Sequence, residues 1–211
     1  MPLIKTYYPV KIAVIGVWYI TETLVELENL IKLSAADQLV YDAFNVEKRK
    51  KEWLCVRILL KALKKEDINI FYDDNHRPFL KATLFNISIS HSKNYVAVYL
   101  DHKKNLGIDI EEPRTQILKI TNKFLSPMEL AFISGVNKIM VCTMLWCVKE
   151  TLYKFYGKKL LDFKTELAVE PFELNTNGKI WALIIKENYK KLLSVKYICE
   201  SGYILTYVGG N

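Results

Sequence analysis

Apolar and polar residues change period several times along this chain, and each change predicts an element. Over 11–18, the apolar run Ile12, Val14, Ile15 and Val17 predicts a strand with a mild break at Gly16. Helical spacing follows over 22–33 and again over a long stretch, 34–64. Ser34 suits an N-cap, with Asp37 three residues on as a variant of the capping box. Within the long stretch, Leu54, Cys55, Ile58, Leu59, Ala62 and Leu63 form a broad apolar stripe. Arg49, Trp53, Arg57 and Lys64 fall on another face.

A period of two returns over 68–72, 86–90 and 95–100, separated by the turn-like Asp73-Asp74-Asn75 and Lys93-Asn94. A hairpin turn at 101–105 leads into a strand over 107–111, which Pro113 ends. A second long helix is predicted over 137–156, preceded by the start signal Ser126-Pro127-Met128-Glu129 and stopped by Gly157. The rest, 163–208, is β-rich, with a hairpin turn at Asn175-Thr176-Asn177-Gly178 and strands over 180–185, 195–199 and 204–208. The expected fold is α+β, as two pseudo-symmetric halves, 1–101 and 102–211. Each half is a small, mostly antiparallel sheet packed on one long helix.

Composition narrows the class. At 211 residues and 51% hydrophobic, the chain is long enough for a sizeable core. No run of 18 apolar residues occurs, so no membrane span is expected. The N-terminus lacks a secretory pattern, and Cys55, Cys142, Cys147 and Cys199 form no CxxC pair. Reduced core thiols and a cytoplasmic protein are expected. The net charge of +7 suits a polyanionic partner. The lysines are scattered and no nucleic-acid motif accompanies them, so nucleic acid is not the expected partner.

Candidate chemistry sits in a few places. Asp109 and Glu111 alternate with Ile108 and Ile110, so both carboxylates leave one face of a strand. Glu150 and Lys154 are spaced i,i+4 on the second long helix. If strand and helix pack together, three carboxylates and an ammonium converge, and an all-oxygen set of that kind suits Mg²⁺ rather than zinc. Ser90, His91 and Ser92 end an alternating strand, where hydroxyls and an imidazole can grip a phosphate. Arg77 in a turn and the basic cluster Lys48-Arg49-Lys50-Lys51 can meet an anion, although, taken by themselves, a plain surface turn and a solvated face are the favoured readings.

In this order, His76-Arg77-Pro78, Ile89-Ser90-His91-Ser92, Gly107-Ile108-Asp109-Ile110-Glu111 and Trp146-x-x-Lys149-Glu150-x-x-x-Lys154-x-x-Gly157 resemble the 4′-phosphopantetheinyl transferases. The single-chain size resembles the surfactin-synthetase-activating type rather than the shorter trimeric holo-acyl-carrier-protein synthases. The resemblance implies transfer of the phosphopantetheine arm of coenzyme A to a serine of an acidic acyl or peptidyl carrier protein, by a cytoplasmic monomer. It implies Mg²⁺ on Asp109, Glu111 and Glu150, with Glu150 as base and Lys154 stabilising the pyrophosphate. It also implies phosphate contacts from Arg77, Ser90 and His91, with Lys48 or Arg49 at the 3′-phosphate. Two alternatives are a metal-dependent phosphohydrolase and a coenzyme A or carrier-binding module without transfer activity. The chain departs from the family pattern in two turns: His76 stands where glycine is usual, and so does Lys159 in Gly157-Lys158-Lys159-Leu160.

Overall fold

A computed structural model describes residues 3–66, 68–133, 137–158 and 160–209, the side chains of Leu3 and Ile4 excepted. The chain begins with two antiparallel strands, β1 (Leu3–Val10) and β2 (Ala13–Tyr19). Helices α1 (Leu24–Leu30), α2 (Ala35–Asp42) and α3 (Glu47–Lys64) follow. Next come the short pair β3 (Ile70–Tyr72) and β4 (Pro78–Leu80), then β5 (Asn86–Ser92), β6 (Tyr95–Asp101) and β7 (Leu106–Glu111). A 3₁₀ turn at Thr115–Lys119 leads through α4 (Thr121–Phe124) and α5 (Pro127–Ala131) to the long α6 (Lys138–Tyr156). Strands β8 (Leu167–Val169), β9 (Asn177–Lys186), β10 (Tyr189–Cys199) and β11 (Ile204–Gly209) complete the chain.

The fold is α+β with antiparallel sheets. One sheet has the order β1-β2-β6-β5 and the other β7-β11-β10-β9-β8. Each packs one face on a long helix: α3 against β2 and β6, α6 against β7 and β11. Three cores result. Trp18, Leu54, Leu59, Val96 and Val98 lie between the first sheet and α3. Leu145, Val148, Leu152, Ile184 and Val195 lie between the second sheet and α6. Ala13, Ile15, Val17, Ile108, Ile110 and Leu205 fill the space between the sheets. Strand β2 is therefore covered on both faces, which explains why its sequence reads as a nearly unbroken apolar run.

The two sheets meet where β5 lies beside β7. Ile108 N donates to Ser88 Oγ at 3.2 Å and Ile110 N to Ser90 Oγ at 3.4 Å. The constant offset of 20 residues means the strands run in the same direction. Serine hydroxyls, not carbonyls, take the β7 amides at this seam.

Three expectations need correction. The helix expected over 34–64 is two helices, broken between Asp42 and Glu47. In one straight helix, Asp37 and Arg57 would stand about 30 Å apart at 1.5 Å per residue. The break lets Asp37 Oδ1 accept from Arg57 Nη2 at 2.8 Å and lets Tyr41 and Phe44 both pack on Trp53. The Ser126-Pro127 signal opens the separate short α5, with a complete capping box from Glu129, rather than leading into α6. Finally, Asn177-Gly178 is not a turn but the start of β9; the hairpin turns instead at Glu187-Asn188, where Glu187 has φ 46°. Gly178 is needed for room, because a Cβ there would meet the Tyr197 ring at 2.8–2.9 Å. Strands β1, β4 and β8 were not expected.

Candidate active site

The site begins with a close approach. On Gly107, a Cβ would lie 2.0 Å from the carbonyl oxygen of Thr151, so only glycine lets α6 settle this tightly on β7. That contact carries Glu150 and Lys154, on one face of α6, up against Asp109 and Glu111. Thr151 and Thr206 tie α6 to β11 from the other side, their hydroxyls 2.6 Å apart. A cleft of about 470 Å³ opens where α3, β5, β7 and α6 converge.

Asp109 is buried, with 3% of its surface exposed. Its Oδ1 accepts from Ser90 Oγ at 2.7 Å and from Lys154 Nζ at 2.6 Å. Lys154 Nζ also donates to Ser90 Oγ at 2.9 Å. Asp109 Oδ2 is buried and has no hydrogen-bond partner among the described residues. Glu111 is gripped at both oxygens: Oε1 accepts from Trp146 Nε1 at 3.3 Å and Oε2 from Ser92 Oγ. Desolvation, then the charge of Asp109, raises the Glu111 pKa. The same two causes push Glu150 up to about 7, with Lys154 opposing.

These carboxylates hold more negative charge than one ammonium neutralises. Among the described residues, no three His, Cys, Asp or Glu side chains are drawn into a closed metal-binding group. The donor chemistry nevertheless fits a hard divalent cation. Asp109, Glu111 and Glu150 offer hard carboxylate oxygens, and one of these, Asp109 Oδ2, is buried with no hydrogen-bond partner among the described residues.

The opposite wall is basic. Arg49 Nη1 lies 2.7 Å from His91 Nε2. Arg77 sits over Gly157, where a Cβ would meet its Nη1 at 2.6 Å, and its Nη2 donates to the Lys104 carbonyl at 3.1 Å. Desolvation lowers the Arg77 pKa, with Asp73 opposing. Asp73 Oδ1 organises the Arg77 turn by accepting from Asn75 N and Arg77 N, both at 2.9 Å. His76 has φ 61°, so the left-handed backbone for which glycine is suited persists with a histidine in place. Gly157, at φ 69°, ends α6 as expected. The expectation about Lys159 lies outside the described residues.

The cleft brings together Arg49, Arg77, Ser90, His91, Asp109, Glu111, Glu150 and Lys154. Lys48 does not line it; its ammonium is exposed and pairs with Glu52 at 3.6 Å. Sequence reasoning read the Ser92 hydroxyl as part of a phosphate grip, whereas it donates to Glu111, and gave no separate role to Trp146, which also holds Glu111, or to Glu52 on the cleft face of α3. The signal for Ser92 was present, since it alternates with Ser88 and Ser90. That for Glu52 was its place three and four residues beyond Arg49 and Lys48.

This geometry coincides with one match among known proteins. Residues 105–208, which span β7, α6 and the rest of the second sheet, match the family model of the 4′-phosphopantetheinyl transferase superfamily. That segment, just under half of the chain, is similar to this superfamily. No curated protein matches the chain.

Proposed function

We propose that the chain is a single-chain, Mg²⁺-dependent enzyme that transfers the 4′-phosphopantetheine arm of coenzyme A to a serine of an acidic acyl or peptidyl carrier protein. The supporting observation is the meeting, in one cleft, of a buried carboxylate cluster carrying Lys154 with a basic wall of Arg49, Arg77 and His91. The superfamily match on the carboxylate side agrees with it. Division at residues 101 and 102 belongs to the same reading, supported by each large sheet drawing its strands from one side of that boundary. A cytoplasmic monomer is the form in which we read it working; no helix among the described residues is long and apolar enough to cross a membrane.

In this reading, Arg77, Ser90 and His91 contact phosphates of coenzyme A, and Arg49 contacts the 3′-phosphate more directly than Lys48. Asp109, Glu111 and Glu150 would hold the Mg²⁺, which supplies charge neutralisation at the pyrophosphate. The carrier serine Oγ bonds to the phosphorus that bears the pantetheine arm, and the bond from that phosphorus to the bridging oxygen breaks. Adenosine 3′,5′-bisphosphate leaves with the bridging oxygen and its electron pair. The serine proton passes to the Glu150 carboxylate, directly or through water. Lys154 places its ammonium beside the leaving phosphate and costs no rearrangement, since Asp109 and Ser90 already hold it.

The test is incubation with coenzyme A, Mg²⁺ and a panel of apo-carrier proteins, read by the mass of the carrier. One phosphopantetheine arm on a carrier serine is expected. Free phosphopantetheine released without a carrier would turn the reading to a phosphohydrolase, and tight coenzyme A binding with no transfer to any carrier would turn it to a binding module.

A further inference from the structure

Helix α3 places a carboxylate where an anion-binding cleft gains nothing from its charge. Glu52 lines the cleft and is only 6% exposed. Its oxygens face Lys48 Nζ at 3.6 Å, Arg49 Nη1 at 3.3 Å and His91 Nδ1 at 3.5 Å. A buried carboxylate repels an incoming phosphate and is costly to desolvate, so its presence calls for a positive role.

The contacts of His91 indicate that role. A guanidinium has no acceptor, so the ring nitrogen 2.7 Å from Arg49 Nη1 must be the unprotonated one. That leaves the ring proton of a neutral His91 on Nδ1, 3.5 Å from Glu52 Oε2. Desolvation in the cleft lowers the His91 pKa, aided by Arg49, Lys154 and Lys48 and opposed by Glu52, which agrees with a neutral ring. Glu52 therefore braces the guanidinium twice: Oε2 accepts from Arg49 Nη1 at 3.3 Å, and the same carboxylate lies beside the imidazole that contacts that Nη1. The Arg49 side chain is 53% exposed, so its remaining N–H groups are available to an anion.

We infer that Glu52 is a positioning residue, which holds Arg49 directly and beside His91 in the pose that receives a phosphate of the coenzyme. This rests on the proposal that the cleft binds coenzyme A. Glu52→Leu fills the same space without an acceptor, whereas Glu52→Gln keeps an oxygen that can accept from Nδ1. By titration calorimetry, Glu52→Leu should weaken coenzyme A binding about tenfold, the worth of one oriented hydrogen bond. Glu52→Gln should stay within about twofold of the unaltered protein, a factor equal to a small fraction of a kcal/mol. Adenosine 3′,5′-bisphosphate should show the same loss and 4′-phosphopantetheine none.

Imidazole nitrogen NMR supplies a readout that altered packing alone does not move. His91 should carry its proton on Nδ1 in the unaltered protein and in Glu52→Gln, and should show mixed tautomers in Glu52→Leu. Three results overturn the inference: an Nε2–H tautomer in the unaltered protein, undiminished coenzyme A binding by Glu52→Leu, or equal losses in the Leu and Gln variants. If the unaltered protein binds no coenzyme A, the functional reading fails instead. The tautomer comparison between the unaltered protein and Glu52→Leu needs no ligand, so the orienting role of Glu52 is tested in every case.

Discussion

Five residues apart on α6, two lysines each hold a carboxylate, yet they serve opposite ends. Lys149 is fully buried, and its ammonium donates to Phe124 O at 2.8 Å, Glu129 Oε2 at 2.7 Å and Phe163 O at 2.7 Å. Its partner is saturated too: Glu129 also accepts from Ser126 N at 2.8 Å and Val169 N at 3.0 Å. Lys154 has a side chain 26% exposed and donates to Ser90 Oγ and Asp109 Oδ1, while Asp109 keeps a buried oxygen without a partner among the described residues. A closed hydrogen-bond set fixes structure. An open one is left with valence for a ligand or a cation.

The sharpest way to break this contrast is Lys149→Ala. It strands the Glu129 carboxylate and two carbonyls in the interior, and should cost about 3–5 kcal/mol in chemical denaturation. Lys154→Ala and Glu150→Gln should instead stay folded and each lower turnover about a hundredfold or more, as loss of a transition-state charge stabiliser does. Near-normal transfer rates in either would remove the assigned role.

A smaller effect separates the two pairs by pH. The folded-state pKa of Glu150 is raised to about 7 and that of Glu111 is raised as well. In the metal-free folded protein these two groups therefore bind more protons than in the unfolded chain between the ordinary Glu value and about 7. The stability these groups contribute is complete below the ordinary value and lost as pH rises through about 7. Added Mg²⁺ competes with those protons, so it should raise the melting temperature more at pH 8 than at pH 6, roughly in line with linkage. A metal effect independent of pH would argue against the carboxylate set. The smallest expected change is His76→Gly. Relief of left-handed strain, about 1–2 kcal/mol, outweighs glycine's entropic cost of about 0.5–1 kcal/mol, so a slight gain in stability should appear.

Much of the site was legible because its residues sit on regular elements. Alternation put Asp109 and Glu111 on one face of β7, and helical spacing stacked Glu150 on Lys154. Nothing local could show that Lys149, next to Glu150, is a core residue. Its three acceptors come from 14 to 25 residues away in the chain. The break before α3 was hidden for a similar reason: 43–46 contains no proline or glycine, and long-range contacts of Asp37 with Arg57 decide it. Asn177-Gly178 carried a strong turn signal that lost to packing against Tyr197. Strand β1 was missed because its polar and apolar residues do not alternate cleanly along an edge position.

The serine seam between β5 and β7 gives the molecule a spine. Along β5, Ser88 receives the Ile108 amide, Ser90 receives that of Ile110 while donating to Asp109, and Ser92 donates to Glu111. The two covers of the book, one bearing the cations and the other the carboxylates, are thus stitched through the same hydroxyls that aim the carboxylates. Opening the book and misaiming its reactive groups are then a single mechanical event, and a stitch lost at Ser90 would be felt as both.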